Sequence, residues 1–271
     1  MKNVVVTAGF DDIGSRDLRF LEEAAKIGPV TVLLSSDDAL EVLTGKPPKL
    51  ALNERSYLLN AVRFVSRVIV VGPTLNSNAL PELEGFRPEI WIEETNAAND
   101  LRKAFCREHG LEYCVLSASQ LAGLPEIPLT TRGPGRKKVA VTGCYDWFHS
   151  GHVRFFEEVS AYGDLYVILG HDANIRFLKG PGHPLLPQDE RRYVVGSIRY
   201  VAQALISSGE GWLDAEPEIQ RLKPDIYAVN EDGDRGGKRE YCAEHGIEYL
   251  VLKRIPAPGL PPRSSTDLRG F

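Results

Sequence analysis

The sequence predicts an α/β protein built as two tandem domains, each a doubly wound parallel sheet. Three observations carry that expectation: an internal duplication, short β-branched runs alternating with helical patterns, and a polar, histidine-containing turn where a strand meets a helix. The duplication comes first. Residues 2–23 read KNVVVTAGFDDIGSRDLRFLEE and residues 137–158 read KKVAVTGCYDWFHSGHVRFFEE, an offset of 135. Residues 88–116 and 224–252 align without a gap at offset 136, with ten of 29 positions identical, including the Glu-His-Gly run and the closing Val-Leu. Glu54-Arg55 and Tyr57 match Glu190-Arg191 and Tyr193, so a single inserted residue separates the blocks. Self-similarity at such a period marks repeated structural units. The domains expected are 1–130 and 137–271, joined by a Pro-, Gly- and Thr-rich linker over 124–137.

In the second copy, Val139 to Thr142 reads as a first strand, and Gly151 to Tyr162 as a helix with Phe155, Phe156 and Val159 on its apolar face. Leu165 to Leu169 is a near-continuous apolar run, as expected of a strand buried on both faces. Asp189 to Arg199 reads as helix and Ala204 to Ser207 as strand. Glu216 to Leu222 is helical and stopped by Pro224, and Asp225 to Val229 is a strand. Arg239 to His245 is a helix closed by Gly246, and Glu248 to Leu252 is the last strand. Strands alternating with helices imply a parallel, Rossmann-like sheet.

Composition narrows the function classes. Of 271 residues, 43% are apolar and 25% charged, which excludes a disordered chain, a collagen-like fibre or a disulfide scaffold. The net charge of −5 offers no bulk basic field for nucleic acid. The start, Met1-Lys2-Asn3 and Val4 to Thr7, turns polar before a signal peptide could form. No run approaches about 18 apolar residues, so no membrane span and a cytoplasmic location are expected. Cys106, Cys114, Cys144 and Cys242 include no Cys-x-x-Cys pair, so neither a zinc cluster nor a disulfide framework is implied.

The sharpest signal is the run from Thr142 through Gly143, Cys144, Tyr145, Asp146, Trp147, Phe148, His149, Ser150 and Gly151 to His152. It lies at the carboxyl end of a strand, where open α/β sheets bind ligands. Free amides and the dipole at the following helix's amino end favour an anion. Two imidazoles aimed there can donate to phosphate oxygens as charge accumulates, and Gly151 permits close backbone approach.

These residues resemble the His-x-Gly-His nucleotidyltransferase superfamily, and its cytidylyltransferase branch most. Gly143-Cys144-Tyr145-Asp146 with Lys179-Gly180-Pro181 is similar to ethanolamine-phosphate cytidylyltransferases, which also carry two such domains. Phe148 to His152 is similar to choline-phosphate cytidylyltransferases. Lys179-Gly180, Pro184 and Glu190-Arg191 resemble bacterial heptose-phosphate and glycerol-phosphate nucleotidyltransferases. Arg199-Tyr200-Val201 is similar to the family's Arg-Tyr-Val-Asp run, with Ala202 in place of the acid, and Ser264-Ser265-Thr266 to its carboxyl-terminal hydroxyl motif.

The resemblance implies attack by a substrate phosphate on the α-phosphorus of a nucleoside triphosphate, with Mg²⁺ accompanying the triphosphate although no ligand cluster is evident. It casts His149, His152 and Lys179 as catalytic, with Lys179 on a mobile Gly/Pro segment. Gly143, Cys144, Tyr145, Asp146, Gly151, Arg191, Asn230, Asp232, Ser264, Ser265 and Thr266 would bind nucleotide or phosphate. Thr142, Trp147 and Trp212 would wall the acceptor pocket. Amino-alcohol enzymes of the family carry an aspartate where this chain has Thr142. In the first copy, His149-Ser150-Gly151-His152 corresponds to Gly14-Ser15-Arg16-Asp17, and Lys179 to Thr44. The first domain is therefore expected to be inactive, packed on the second as an internal pseudo-dimer, with homodimerisation left open. The reading favoured is CTP-dependent cytidylyl transfer to a phosphorylated alcohol, polyol or sugar. ATP-dependent adenylyl transfer of the flavin- or nicotinamide-mononucleotide type stands beside it, as does a non-catalytic nucleotide-binding scaffold.

Overall fold

The computed structural model describes residues 1–73 and 77–264. The chain divides into two compact units, 1–123 and 124–271. In the first unit, β1 (Val4–Ala8), β2 (Val30–Ser35), β3 (Val65–Val71), β4 (Ile90–Glu94) and β5 (Glu112–Leu116) form one sheet. Its spatial order is β3-β2-β1-β4-β5, parallel throughout. Helices α1 (Ser15–Ile27), α2 (Asp37–Thr44), α3 (Leu52–Ala61) and α4 (Asp100–Glu108) make the connections.

The second unit repeats the plan. Strands β6 (Lys138–Gly143), β7 (Asp164–Leu169), β8 (Val201–Ile206), β9 (Ile226–Asn230) and β10 (Glu248–Leu252) take the order β8-β7-β6-β9-β10. Its helices are α5 (Ser150–Val159), α6 (Asp172–Lys179), α7 (Gln188–Gly196), α8 (Glu216–Leu222) and α9 (Lys238–Glu244). Two Rossmann-like α/β domains are therefore present. Every residue of β7 is buried, as its unbroken apolar run implies for a strand covered on both faces.

Three local expectations are corrected. Strand β8 starts at Val201, three residues earlier than the β-branched pattern indicated. Helix α7 ends at Gly196, where the Ser197 amide is shared among three carbonyls and closes the turn. The stretch before Lys179 is not a mobile loop: it is helix α6, capped by the His171 side chain, which accepts from the Asn174 amide. The linker also goes with the second unit. Thr130 donates its amide to the Ala202 carbonyl, and Arg136 reaches Asp164 and the Ser160 carbonyl.

One topological feature positions the site. Strands β6 and β9 are paired only at Val139–Ile226 and Ala140–Tyr227, and then part. This is the switch point of the strand order, and the gap opens a crevice at the carboxyl edge of the sheet. No helix among the described residues is long and apolar enough to cross a membrane.

Candidate active site

From the end of β6 the chain makes a tight turn into α5. Tyr145 stands at its apex with φ 53°, a region bulky residues rarely occupy. A side chain on Gly143 would collide with the Tyr145 ring at 2.7 Å, so glycine is needed there. Burial pushes the Tyr145 phenol far above its ordinary range. His149 follows as the N-cap of α5, its Nδ1 accepting from the Gly151 amide at 3.1 Å. That bond fixes the neutral tautomer with its proton on Nε2. A Cβ on Gly151 would lie 3.0 Å from the His149 ring, so glycine lets the imidazole fold over the helix end.

His152, one turn on, stacks on His149 with ring centroids 3.9 Å apart and planes 22° from parallel. Phe148 and Tyr145 hold its other sides. Its Nδ1 is buried with no protein hydrogen-bond partner. Burial, and then the neighbouring His149, Arg254 and Lys179, hold the His152 pKa well below that of a free imidazole. The result is a neutral ring surrounded by positive potential, suited to accept an anion.

His152 and the turn that leads to it face a cavity of about 230 Å³. Of the residues singled out from sequence, Thr142, Gly143, Cys144, Tyr145, Asp146, Trp147, Gly151, His152, Lys179, Asn230 and Asp232 line it. His149 does not line it: it is 3% exposed and sits behind His152. Lys179, the last residue of α6, lies beside the Cys144 thiol, whose pKa burial raises against the opposing pull of Lys179 and Arg191. Sequence reasoning missed Phe155, His183 and Arg254, which also line the cavity, as does Gly233 beside Asn230 and Asp232. Arg254 follows β10 by two residues, pairs with Asp232, and donates to the Arg263 carbonyl at 2.7 Å. A cation just past a strand's carboxyl end on the switch-point side was the available signal.

Several expected roles are corrected. Arg191 does not face the cavity. Fully buried, it donates to the carbonyls of Leu186, Cys144 and Gly170 and pairs with Asp172 at 2.7 Å. Its guanidinium is spent on holding loops together, which leaves it unsuited to a phosphate. Asp146 lines the cavity, but its carboxylate accepts the amides of Leu185 and Leu186 at 2.8–2.9 Å and so pins the segment after Lys179. Trp212 stands outside the cavity, 63% exposed, packed near Gly236. Thr142 shares a 2.6 Å hydroxyl–hydroxyl bond with Tyr227. Ser264 closes the described chain, and Ser265 and Thr266 lie outside the described residues. Among the described residues no cluster of three or more His, Cys, Asp or Glu could cage a metal.

A family model described as cytidylyltransferase-like matches residues 140–270. An FAD synthase of Ferroglobus placidus is 36% identical over 120 residues, 43% of this chain and 75% of that protein. The bifunctional protein HldE of Ectopseudomonas mendocina is 36% identical over 175 residues, 63% of this chain but 34% of its own length. The chain thus spans about a third of the HldE proteins it matches. A lipopolysaccharide core biosynthesis protein of Thermoplasma volcanium superposes with a TM-score of 0.39 at 20% identity, covering 45% of this chain and 99% of that one. Matched by the family model across its second unit, and by a relative it covers over three quarters, the chain belongs to the cytidylyltransferase-like family of nucleotidyltransferases.

Proposed function

We propose that the second unit transfers a nucleotidyl group to a small phosphorylated acceptor, and that the first unit is catalytically inactive. The observation that carries this reading is the stacked His149–His152 pair at the amino end of α5, opening on a cavity that Lys179 and Arg254 also line. An acceptor phosphate oxygen attacks the α-phosphorus, the bond to the α–β bridging oxygen breaks, and pyrophosphate leaves. Such transfer depends on positioning and on neutralising charge at the phosphoryl oxygens. His152, backed by the stacked His149 ring, stabilises the transition state, Lys179 neutralises the α-phosphate or the acceptor phosphate, and Arg254 adds positive potential from β10. Magnesium enters with the triphosphate as part of the substrate, since Mg²⁺ is commonly held through phosphates and water with few protein ligands. Asp146 and Asp232, the carboxylates lining the cavity among the described residues, already hold backbone amides and Arg254.

The nucleoside separates two readings. Cytidylyl transfer rests on the Gly143-Cys144-Tyr145-Asp146 and Lys179-Gly180 motifs. Adenylyl transfer is favoured by the likeness to an FAD synthase, whose product is an adenine dinucleotide. Pyrophosphate release from MgCTP and MgATP across phospho-alcohols, sugar phosphates and FMN decides between them. Tight nucleotide binding with no release from any mixture supports a scaffold and overturns the enzymatic reading. A cytoplasmic setting fits the free thiols of the four cysteines.

A further inference from the structure

The charge and hydroxyl inventory of the cavity bears on the acceptor's body. Lys179, Arg254 and two imidazoles line it. The two carboxylates among the described lining residues are committed: Asp146 to the Leu185 and Leu186 amides, with His183 Nδ1 3.7 Å away, and Asp232 to Arg254. No carboxylate in that set is left to meet a cationic head group, and a cation held here would face the like charges of Lys179 and Arg254. Aromatic compensation is also poor. Tyr145 and Phe155 line the cavity with Trp147 but are buried, Tyr145 being packed against His152 and Phe156, and Trp212 lies outside, so little aromatic face is presented to a cation.

A neutral polar contact is offered instead. The hydroxyls of Thr142 and Tyr227 lie 2.6 Å apart; Tyr227 is buried in β9, and Thr142 lines the cavity. Either hydroxyl can be the donor in this pair, and in the arrangement proposed below the more acidic Tyr227 phenol donates to Thr142. The Thr142 proton is then left to donate to a ligand in the cavity. A site that hydrogen-bonds a substrate hydroxyl discriminates strongly against esters lacking it.

Resting on the nucleotidyl-transfer reading, we propose that the acceptor is a phosphate monoester with an uncharged, hydroxyl-bearing body, that Thr142 held by Tyr227 reads one of its hydroxyls, and that cationic amino-alcohol phosphates are excluded.

The test compares glycerol 3-phosphate, a hexose phosphate and FMN with phosphoethanolamine and phosphocholine. The full chain is assayed for pyrophosphate release with MgCTP and MgATP. In parallel, calorimetric binding of each ester is measured in the presence of a non-hydrolysable nucleotide. The best uncharged ester is expected to exceed both cationic ones at least 100-fold in kcat/KM or in affinity. Thr142→Asp should narrow that ratio at least tenfold, Thr142→Val should weaken the uncharged ester, and Thr142→Ser should restore it. A cationic ester within threefold of the best uncharged one, or a ratio unmoved by Thr142→Asp, overturns the inference while leaving nucleotidyl transfer intact. Absence of pyrophosphate with every ester overturns the enzymatic reading instead, and the binding series still decides the acceptor question.

Discussion

The two halves of this chain keep the same scaffold and differ in what is mounted on it. In the first, Arg55 donates to the carbonyls of Leu50, Gly9 and Ser35 and pairs with Asp37 at 2.6 Å, and Asp11 accepts the amides of Lys49 and Leu50. In the second, Arg191 and Asp146 do the same work at the positions the repeat assigns them. Phe10, with φ 45°, repeats the strained turn of Tyr145. The chemistry is exchanged. Gly14 and Asp17 stand for the two histidines, and the Asp17 carboxylate folds back to accept the Gly14 amide at 2.9 Å. Arg16 and Glu94 replace Gly151 and Asn230 and form a 2.7 Å ion pair, so side chains meet where the second half keeps its crevice lining. The buried Asp–Arg network therefore belongs to the fold, because it persists where the two histidines are absent.

The largest effect expected from breaking this comparison is on turnover. His152→Ala should lower kcat about 10²–10³-fold, the range for losing one transition-state donor, with folding intact by circular dichroism. Substitutions at Asp17 or Arg16 should leave kcat unchanged. If they abolished turnover while His152→Ala did not, the working half would be the first.

Next in size is stability. Arg191→Met and Arg55→Met should each cost their own half about 3 kcal/mol by orphaning buried carbonyls and a carboxylate, measured by denaturant unfolding. A phosphate-binding Arg191 would instead raise KM with stability preserved.

A smaller effect sharpens the contrast in pH. His152 has a folded pKa held below its unfolded value, chiefly by burial. The unfolded chain thus binds more protons, and this contribution to stability is lost as pH falls below about 6.5. Asp17, in the equivalent place, has its pKa raised, chiefly by burial, against the pull of the Gly14 amide. Its ionisation costs stability as pH rises above about 3.9. Melting temperatures of His152→Ala and Asp17→Asn across pH 3–8 should therefore diverge from the parent with opposite slopes, and parallel slopes would refute these assignments. The smallest expected change is none: Asp17→His placed in a His152→Ala background should not restore pyrophosphate release, because Gly14, Thr44 and the Arg16–Glu94 pair remain.

Legibility followed range along the chain. The strand at 248–252 and the helix at 216–222 were readable to the residue, since periodicity and flanking Pro or Gly are local signals. The turn from Thr142 to His152 was equally readable, because strand end, glycine, histidines and helix start adjoin in sequence. Helix α6 escaped, as its last turn runs into a Gly/Pro segment that reads as loop. Arg191 was misread because its type and helix position suit phosphate as well as carbonyls, and its partners lie at Cys144, Gly170 and Asp172. Arg254 and His183 carried no motif and reach the cavity from other connections.

By itself the sequence determined the duplication, the parallel α/β plan and the strand–helix junction that lines the cavity, because apolar spacing and neighbouring motif residues act over a few positions. The tertiary structure alone decided which charged groups remain available to a ligand. Asp146 and Arg191 are consumed by carbonyls and amides up to 47 residues distant, Arg254 is delivered to the crevice from β10, and the first half's ion pair joins residues 78 apart. A charged side chain's role is set by which partners folding brings within about 3 Å, and that is not written in its neighbours along the chain.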